Sequence, residues 1–499
     1  MKLNYKRTIL VGFAFFLISA FWQAYDAIIP LALTNHFGLP QSISGIVMSV
    51  DNILAVFMLP LFGALSDKIM TRFGKRTPFI VIGTIAAVVA FFSLTFIDSF
   101  QLNAVIDAGI SDKYQVAAEM LKEANLALKE AGKAGDAYGI EIARAAIEAI
   151  NANIEAIRVE TFNITMNNLW TIITFIGVLL ITLVSMATFR SPAVALMPDV
   201  TVKPLRSKGN AIINLMGTAG GILVLVLGIV FKTSDNKYMQ YTAYVGAVCA
   251  IMLTGLIIFI LTVREKQWAK DMENDTKRLG LEDAVADNGK TESRSLTKGE
   301  FKSLMLILAS VALWYIGYNS ITSKYSVYAT NVLFFDFNLT LIIAQAAAVV
   351  AYIPVGMIAS KIGRRKTILA GIIMLASAFF IGNFINFDTP EFVMYPVFIL
   401  AGIGWATINV NSFPMVVELA KGGEVGKYTG YYYTASMAAQ IVAPILSGFL
   451  YDIFGMRSMF FSFGTVFVVL SFVTMFFVKH GDAKAEKVDA LSALGGADD

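Results

Sequence analysis

The chain has 499 residues, of which 57% are hydrophobic and 15% charged, with a mean hydropathy of +0.68 and a net charge of +3. About a quarter of the residues of a soluble protein are charged, so this composition excludes a soluble globular protein. Apolar runs long enough to cross roughly 30 Å of hydrocarbon recur along the chain, and they predict an all-α, polytopic membrane protein.

The first predicted helix begins directly after a basic segment, MKLNYKR. No small-residue cleavage site follows this segment, which predicts a first transmembrane helix and not a removed signal peptide. Eleven more apolar runs follow. The twelve predicted spans are about 8–34, 43–65, 78–98, 168–198, 209–231, 240–263, 302–330, 339–360, 367–386, 394–418, 427–450 and 456–478.

Span 1 carries an acidic side chain, Asp26, near the middle of the stretch FWQAYDAIIPLALTNHF. A charged carboxylate in hydrocarbon costs at least roughly 2.5–3.5 kcal/mol, so an intramembrane acid is by default a functional group. A desolvated carboxylate is costly to ionise, and it can take up a proton on one side of the membrane and release it on the other. The alternative is a structural acid that is permanently paired.

Other charged residues inside the spans compete for a role. Asp51 of span 2 lies toward the outer end of its helix, where pairing or an outer-gate role is as plausible as proton transfer. Arg190 of span 4 can pair with a carboxylate and still donate hydrogen bonds to sugar hydroxyls. We predict that Asp26 and Arg190 form the coupling pair. Lys324 of span 7 could pair with either acid, but we expect it to extend outward to the membrane surface.

Aromatic and amide side chains share helix faces on several spans, as Trp22 and Asp26 do at i, i+4. A sugar site needs aromatic faces against the ring and a few placed polar groups in an otherwise apolar pocket. One aromatic residue alone is more often core packing than ligand. The set as a whole favours a site, and its members are Trp22, Gln23, Tyr315, Asn319, Gln345, Tyr352, Trp405, Asn409 and Gln440.

Two segments are predicted to lie outside the spans. Residues 99–166 are inserted between spans 3 and 4, and isoleucines and alanines at 3–4 spacing over 140–157 predict an amphipathic helix. An earlier helix at about 112–131 would complete a helical hairpin. The hairpin is either a spacer or a device that captures substrate or a partner. Residues 480–499 are polar and predicted to be disordered.

Lys and Arg residues cluster after spans 2, 4, 6 and 8, whereas the short loops 38–42 and 386–391 carry none. By the positive-inside rule, both termini are cytoplasmic and the insertion is extracellular. The predicted domains are an N-terminal six-helix bundle (1–263, including the insertion 99–166), a cytoplasmic linker (264–301), a C-terminal six-helix bundle (302–479) and a cytoplasmic tail (480–499).

The two bundles resemble each other in sequence. GALSDKIMTRFGKRTPFI after span 2 parallels GMIASKIGRRKTIL after span 8, and WQAYDA of span 1 parallels WYIGYNS of span 7. Span 4 ends in ALMPDV and span 10 in FPMVVEL, each with a proline followed by an acid. Internal repeats of this kind are typical of secondary transporters, whose substrate site lies between the halves near the middle of the membrane.

GALSDKIMTRFGKRTPFI resembles the loop signature of the major facilitator superfamily. Residues 25–67 and RSPAVALMPDV are similar to the sucrose/proton symporter branch, a glycoside–pentoside–hexuronide-like group. The similarity covers all twelve spans but not the insertion. The resemblance implies the major facilitator fold and a coupling role for Asp26 and for Arg190 in its Arg-x-Pro motif. It also implies a cytoplasmic gate formed by Asp67, Arg72, Arg76, Asp199 and Glu418.

These features favour a proton-coupled importer of a sugar or glycoside in the cell membrane. The alternatives are a sodium-coupled glycoside symporter, with oxygen ligands from Asp26 and Asp51, a facilitator of another polar solute, or a transporter-like receptor. An enzyme is not predicted, because the sequence has no phosphate loop and His36, His480 and Cys249 form no metal or catalytic set. We expect a monomer whose partners are a small-molecule substrate, a coupling cation and the lipid bilayer, with no nucleic acid, cofactor or metal.

Overall fold

The computed structural model describes residues 3–202, 205–278, 296–419 and 425–481. Twelve of its helices are long and apolar enough to cross a membrane, which confirms the predicted all-α polytopic fold. The helices are α1 Tyr5–Leu31, α2 Gln41–Lys68, α3 Thr77–Asp107, α4 Ile110–Ala134, α5 Ala137–Asn167, α6 Leu169–Val200, α7 Arg206–Val230, α8 Thr242–Thr262, α9 Glu265–Arg278, α10 Lys298–Thr322, α11 Tyr325–Tyr328, α12 Phe337–Ile362, α13 Arg364–Gly382, α14 Met394–Val417, α15 Val425–Phe454 and α16 Met456–Phe476.

The spanning helices form two halves, with α1–α3 and α6–α8 in the first and α10 and α12–α16 in the second. Within the first half α1 packs on α7 and α3 on α6, and within the second α10 packs on α16 and α13 on α14. The halves meet where α2 packs on α15 and α7 on α12. We call the end of the bundle that carries α4 and α5 the insertion side, and the end that carries α9 the linker side.

The first helix of each half loses regular geometry at its insertion-side end. α1 continues from Leu31 into a π-helical turn, Ala32–His36. α10 stops at Thr322, and after the short α11 the chain forms a second π-helical turn, Ala329–Leu333. Predicted spans 1 and 7 therefore correspond structurally as well as in sequence, and irregular backbone lies beside the interface between the halves. Such backbone occurs at membrane depth only where protein or a cavity surrounds it.

The third helix is longer than its predicted span 78–98, because α3 continues to Asp107. Polar residues at and beyond the predicted end are buried and hydrogen-bonded. Asp98 lies 2.7 Å from Nδ1 of His36, and the Gln101 amide donates to the His36 carbonyl (3.1 Å) and to Thr165 Oγ1 (2.8 Å). These hydrogen bonds offset the cost of burying the two polar side chains. The inserted hairpin accordingly begins at Ile110 and not at residue 99.

The hairpin contacts both halves. Its two helices pack on each other and on the end of α3 through a small apolar cluster that includes Ile157 and Tyr114. The Lys129 ammonium lies 3.1 Å from Asp388 in the loop before α14, and Lys122 lies 5.0 Å from the ring centroid of Phe334. The hairpin thus reaches from the first half to loops of the second on the insertion side.

On the linker side, α9 is fixed by one buried carboxylate, Glu265. It accepts hydrogen bonds from the backbone N–H groups of Lys75 (2.6 Å), Arg76 (2.9 Å) and Thr77 (2.7 Å) at the start of α3. These are donors that the first turn of a helix leaves unpaired, and a negative charge there also interacts favourably with the helix dipole. Gly74, with φ +123°, brings the chain close enough for this contact.

Replacement of Glu265 by Gln should lower the stability of the folded protein. Hydrogen bonds to charged groups contribute about 1.5–3 kcal/mol, and loss of the charge should reduce the apparent unfolding temperature by about 3 °C or more. Buried Cys249 supplies the readout, because a thiol-reactive dye reaches it only on unfolding. Glu273→Gln, on the exposed face of the same helix, is the matched control. Equal unfolding temperatures for both variants would show that Glu265 does not hold α9.

Parts of two predicted segments lie outside the described residues, namely 279–295 of the linker and 482–499 of the tail. Just before the latter, His480 is packed against the second half, where its Nδ1 lies 2.9 Å from Ser303 Oγ.

Candidate functional site

A cavity of about 640 Å³ lies between the two halves. Residues of α1, α6 and α7 form one wall, and residues of α10, α12 and α14 form the other. Its volume is within the 300–1,000 Å³ typical of small-molecule sites. Eight residues predicted from the sequence line it together: Trp22, Gln23, Asp26, Arg190, Asn319, Gln345, Tyr352 and Trp405.

A second cavity of about 170 Å³ adjoins the first and contains the other predicted acid, Asp51. Gln440 also lines it, as does Asn52, whose amide donates to Asp51 (2.8 Å). The two cavities share a partition formed by Trp22, Asp26, Arg190, Asn319 and Thr322. Asp26 therefore borders both spaces, whereas Asp51 borders only the smaller one.

A proline in α1 leaves the backbone carbonyl of Asp26 without its usual helical hydrogen bond. Pro30 has no N–H to donate to the Asp26 carbonyl one turn earlier. That carbonyl instead accepts a hydrogen bond from Ser326 Oγ (3.4 Å), which belongs to the second half. The backbone of the candidate coupling residue thus forms part of the contact between the halves, and its side chain is exposed to the cavity.

Arg190 is the positive charge of the partition. Its guanidinium lies 5.6 Å from the ring centroid of Trp22, and its charge interacts with Asp51. The charges of Asp51 and Asp26 interact in turn. Two carboxylates and one guanidinium therefore surround the small cavity, so that a cation or proton taken up there would balance the second negative charge.

The wall from the second half is aromatic. Tyr318 stacks on Trp405 with ring centroids 6.0 Å apart and an angle of 27°, and Tyr352 meets Trp405 edge-on at 6.3 Å. Tyr318 was not predicted, although it lies next to Asn319 and lines the cavity. The i, i+4 spacing points to Tyr315 and Asn319 on this helix, and it does not show that Tyr318 lies near Asp26.

Amide groups cross the cavity and line its linker-side half. The Gln345 amide donates to Gln23 Oε1 (2.6 Å), joining the halves. Two buried donors that line the cavity, Trp22 Nε1 and Asn214 Nδ2, have no hydrogen-bond partner among the described residues. Because an unpaired buried donor is costly, these groups are suited to a ligand rich in hydroxyl acceptors. Asn214 is a further residue that the sequence analysis did not select.

Two predicted members of the substrate set are not among the residues that line either cavity. Tyr315 packs on Trp314, with ring centroids 3.9 Å apart, and Asn409 is buried within α14. Each lies one helical turn nearer the linker side than a lining residue, Asn319 or Trp405. The i, i+4 spacing therefore gave the correct helices but did not show which residue of each pair lines the cavity.

The predicted gate residues form separate clusters on the linker side. Arg76 is buried and bonds to Asp67 at the end of α2 and to Asp199 at the end of α6, where Nε lies 2.8 Å from the carboxylate. In the second half Arg364 lies 2.9 Å from Glu418. Arg72 is exposed, with its guanidinium 4.6 Å from the ring centroid of Phe73.

The insertion side is closed by contacts between α2 and the second half. The Asp452 carboxylate accepts hydrogen bonds from the backbone N–H groups of Gln41 (2.7 Å) and Ser42 (2.8 Å) at the start of α2. Lys324 donates to Ser44 Oγ. The side chain of Lys324 is fully buried, so the expectation that it extends outward is wrong. Its cost of burial is offset by Ser44 and by the nearby charge of Asp452.

Glycine permits the close approach of α2 and α15. A Cβ on Gly45 would lie 2.1 Å from the carbonyl oxygen of Pro444, and one on Gly448 would lie 2.4 Å from that of Gln41. Any larger side chain would have to separate the helices. Among the described residues no group of three or more His, Cys, Asp or Glu side chains could hold a metal ion.

Two family models together match most of the chain. The model described as "MFS/sugar transport protein" matches residues 10–105 and 160–392, about two thirds of the chain, and "Major Facilitator Superfamily" matches residues 325–493. The gap between the two matched segments of the first model, 106–159, corresponds to the inserted hairpin. The insertion is therefore a feature of this chain and not of the family model.

Solved structures share the fold at low sequence identity. The inward open xylose transporter XylE from E. coli is 12% identical, with a TM-score of 0.61, and the match covers 98% of this chain and 100% of that one. The nucleoside transporter NupG is 14% identical, with a TM-score of 0.57, and the match covers 94% and 99%. The MFS-type transporter ppzB of Metarhizium rileyi is 28% identical over 116 residues, 23% of each protein. The chain thus spans about a quarter of the length of the curated relatives it matches.

Proposed function

The chain belongs to the major facilitator superfamily, and we propose that it imports a sugar or glycoside by proton symport, through alternating access of the central cavity to the two sides of the membrane. The family is one of transporters and not of enzymes. The observation that carries the proposal is the position of Asp26, a carboxylate on the partition between a sugar-sized cavity and a small charged one. A proton on this group would be linked directly to occupancy of the cavity.

The lining of the large cavity supports a sugar as the substrate. Tyr318, Trp405 and Tyr352 offer aromatic faces for the apolar side of a ring. Trp22 Nε1 and Asn214 Nδ2 offer free donors for its hydroxyls, and Gln23 and Gln345 can exchange their mutual hydrogen bond for bonds to a ligand. The family model described as sugar transport and the fold shared with a xylose transporter support the same class.

The contacts between the halves support a direction of access. Asp452, Lys324 and the glycines of α2 and α15 close the insertion side, so the cavity would open to the linker side in this conformation. We assign the linker side to the cytoplasm of a cell membrane because the basic loops lie there. The opposite conformation would require the α2–α15 contact to separate and the ends of α2, α6 and α14, with Asp67, Arg72, Arg76, Asp199 and Glu418, to approach one another.

Sodium is the second candidate for the coupling ion. Asp26 and Asp51, together with the Asn52 amide, place several oxygen atoms around the small cavity. Hard cations prefer such ligands. The Arg190 guanidinium beside the same cavity opposes a resident cation, and for this reason we favour the proton.

Removal of the Trp405 side chain should weaken sugar binding. An aromatic contact contributes about 0.5–1.5 kcal/mol, so in liposomes that contain the Trp405→Ala variant the half-saturating sugar concentration should rise about twofold to thirteenfold. The measurement is uptake of radiolabelled sucrose, maltose and related glycosides. Trp170→Ala removes an exposed tryptophan of α6 outside the cavity and is the matched control. Unchanged saturation in Trp405→Ala, or uptake of none of the sugars by the native protein, would contradict a sugar site here.

A further inference from the structure

A long groove runs along the outer surface of the second half, away from the central cavity. It has a volume of about 610 Å³ and lies between α12 and α13, with α14 as its floor. Helix α14 packs on both neighbours, whereas α12 and α13 contact each other far less. Small side chains at Ala347, Ala351 and Ala370 leave the space open. The rim is exposed, at 72% for Val350 and 47% for Ile358.

The groove offers nothing to a polar ligand. Among the described lining residues only Thr367 and Thr407 bear a hydroxyl group. Each hydroxyl donates to the backbone carbonyl four residues earlier, that of Gly363 (2.8 Å) and that of Ile403 (2.7 Å). A polar group placed there would lose its hydrogen bonds to water without replacement. On α12 the lining runs from Ile343 to Ile362, about 28 Å at 1.5 Å per residue, which is ample for a hydrocarbon chain within one leaflet.

Two unpaired cations lie at the linker-side end of this groove. Gly363, with φ +93°, makes the turn from α12 to α13, and Lys361 and Lys366 flank it. Both lysines are exposed, and neither has an ion pair or side-chain hydrogen bond to another described residue. The two arginines between them are engaged, Arg364 with Glu418 and Arg365 with the carbonyl of Phe476.

We propose that the groove and these two lysines form one binding site for an anionic phospholipid, with an acyl chain along α12 and α13 and the phosphate against Lys361 and Lys366. The acyl chain and the phosphate of such a lipid would each meet a suitable surface. The apolar groove lies in the hydrocarbon layer, and the lysines lie at the polar boundary of that layer. Basic pockets beside transmembrane helices bind anionic headgroups in this way. Gln345 and Tyr352 line the central cavity from other faces of α12, so the site is separate from the substrate path.

The site can be tested on the full-length protein by native mass spectrometry. The protein is purified in detergent with equal amounts of phosphatidylglycerol and phosphatidylcholine that carry the same acyl chains, and the retained lipids are counted. Lys361→Gln/Lys366→Gln removes the cations, and Ala370→Phe fills the groove near its charged end. Lys68→Gln/Lys266→Gln removes two exposed lysines from the same side of the first half and is the matched control. Glycerol phosphate, which has the charge but no chains, is added as a competitor.

We expect about one phosphatidylglycerol per native protein, and no comparable retention of phosphatidylcholine. An ammonium group near an anionic lipid strengthens binding about fivefold, so the double lysine variant should retain it about thirtyfold more weakly. Ala370→Phe should also lose the lipid, and glycerol phosphate should not displace it. Equal retention of both lipids, or retention unchanged in either site variant, would overturn the proposal. So would equal loss in the control variant, or displacement by glycerol phosphate, because binding would then depend on charge alone.

Discussion

Sugar-driven proton entry is expected to disappear in the Asp26→Asn variant, while exchange of sugar between equal internal and external pools continues. Asparagine keeps the size and hydrogen-bonding ability of the side chain but cannot take up a proton at neutral pH. The central cavity would still bind sugar and change its access, without carrying the proton. One charge moved through about 100 mV supplies about 2.3 kcal/mol, enough for a roughly fiftyfold sugar gradient, and this accumulation should fall to none.

Asp51→Asn is the matched variant, because it removes the other carboxylate of the small cavity. Asp51 borders only that cavity, so we expect slower transport with acidification retained. Both reactions are followed in the same liposomes, with an internal pH-sensitive dye for protons and labelled sugar for exchange. The opposite pattern, with coupling lost in Asp51→Asn and kept in Asp26→Asn, would transfer the coupling role to Asp51.

The second large effect is expected where α2 and α15 touch on the insertion side. A Cβ on Gly45 would lie 2.1 Å from the Pro444 carbonyl oxygen, so Gly45→Leu must separate the two helices. Overpacking costs about 1–3 kcal/mol. Because the clash exists only in the conformation closed at the insertion side, it should shift the conformational equilibrium about five- to 150-fold toward the conformation that is open there. The folded protein should persist, because the alternative conformation relieves the clash.

Labelling of the thiol in an Asn331→Cys variant measures this shift. Asn331 donates to Asn35 across the halves (2.8 Å), so a thiol there becomes accessible when the insertion side opens. Cys249, the single native cysteine, is replaced by Ala. A membrane-impermeant maleimide should then react at least about fivefold faster in Gly45→Leu, in line with the equilibrium shift. Gly177→Leu, at a glycine of α6 with open space around it, is the control. Equal rates in both variants would show that the α2–α15 contact does not control access.

The architecture is predictable from the sequence because a membrane requires long apolar helices. Twelve apolar runs of spanning length gave the twelve helices, and α3 alone was much longer than predicted. Its extension depends on Asp98 and Gln101 finding partners in His36 and Thr165, which are remote in sequence. No local pattern contains that information, so the apolar run alone could not give the length of α3.

The site was predicted in part for a related reason. Spacing along one helix identifies a face, and the face of Trp22, Gln23 and Asp26 does border the cavity. It does not show which members of a spaced pair reach the cavity, so Tyr315 and Asn409 were included although neither lines it. Nor does it give the contacts between helices that place Tyr318 and Asn214 in the lining.

Two other long-range polar contacts have no signal in the sequence. Glu265 bonds to the start of α3, and Asp452 bonds to the start of α2 more than 400 residues earlier in the chain. Each is an ordinary acidic residue in its local sequence. Helix N-termini attract carboxylates, but which carboxylate reaches which helix is decided by the packing of the whole bundle.

Internal acidification of liposomes by the native protein distinguishes proton symport from sodium-coupled transport. Purified protein is reconstituted with a pH-sensitive dye inside, and sucrose, maltose and related glycosides are added in turn in sodium-free buffer. If sugar and protons enter together, at least one of these sugars acidifies the interior. Sugar entry that requires sodium and leaves the internal pH unchanged would contradict proton symport, and would make Asp26 and Asp51 ligands of a sodium ion.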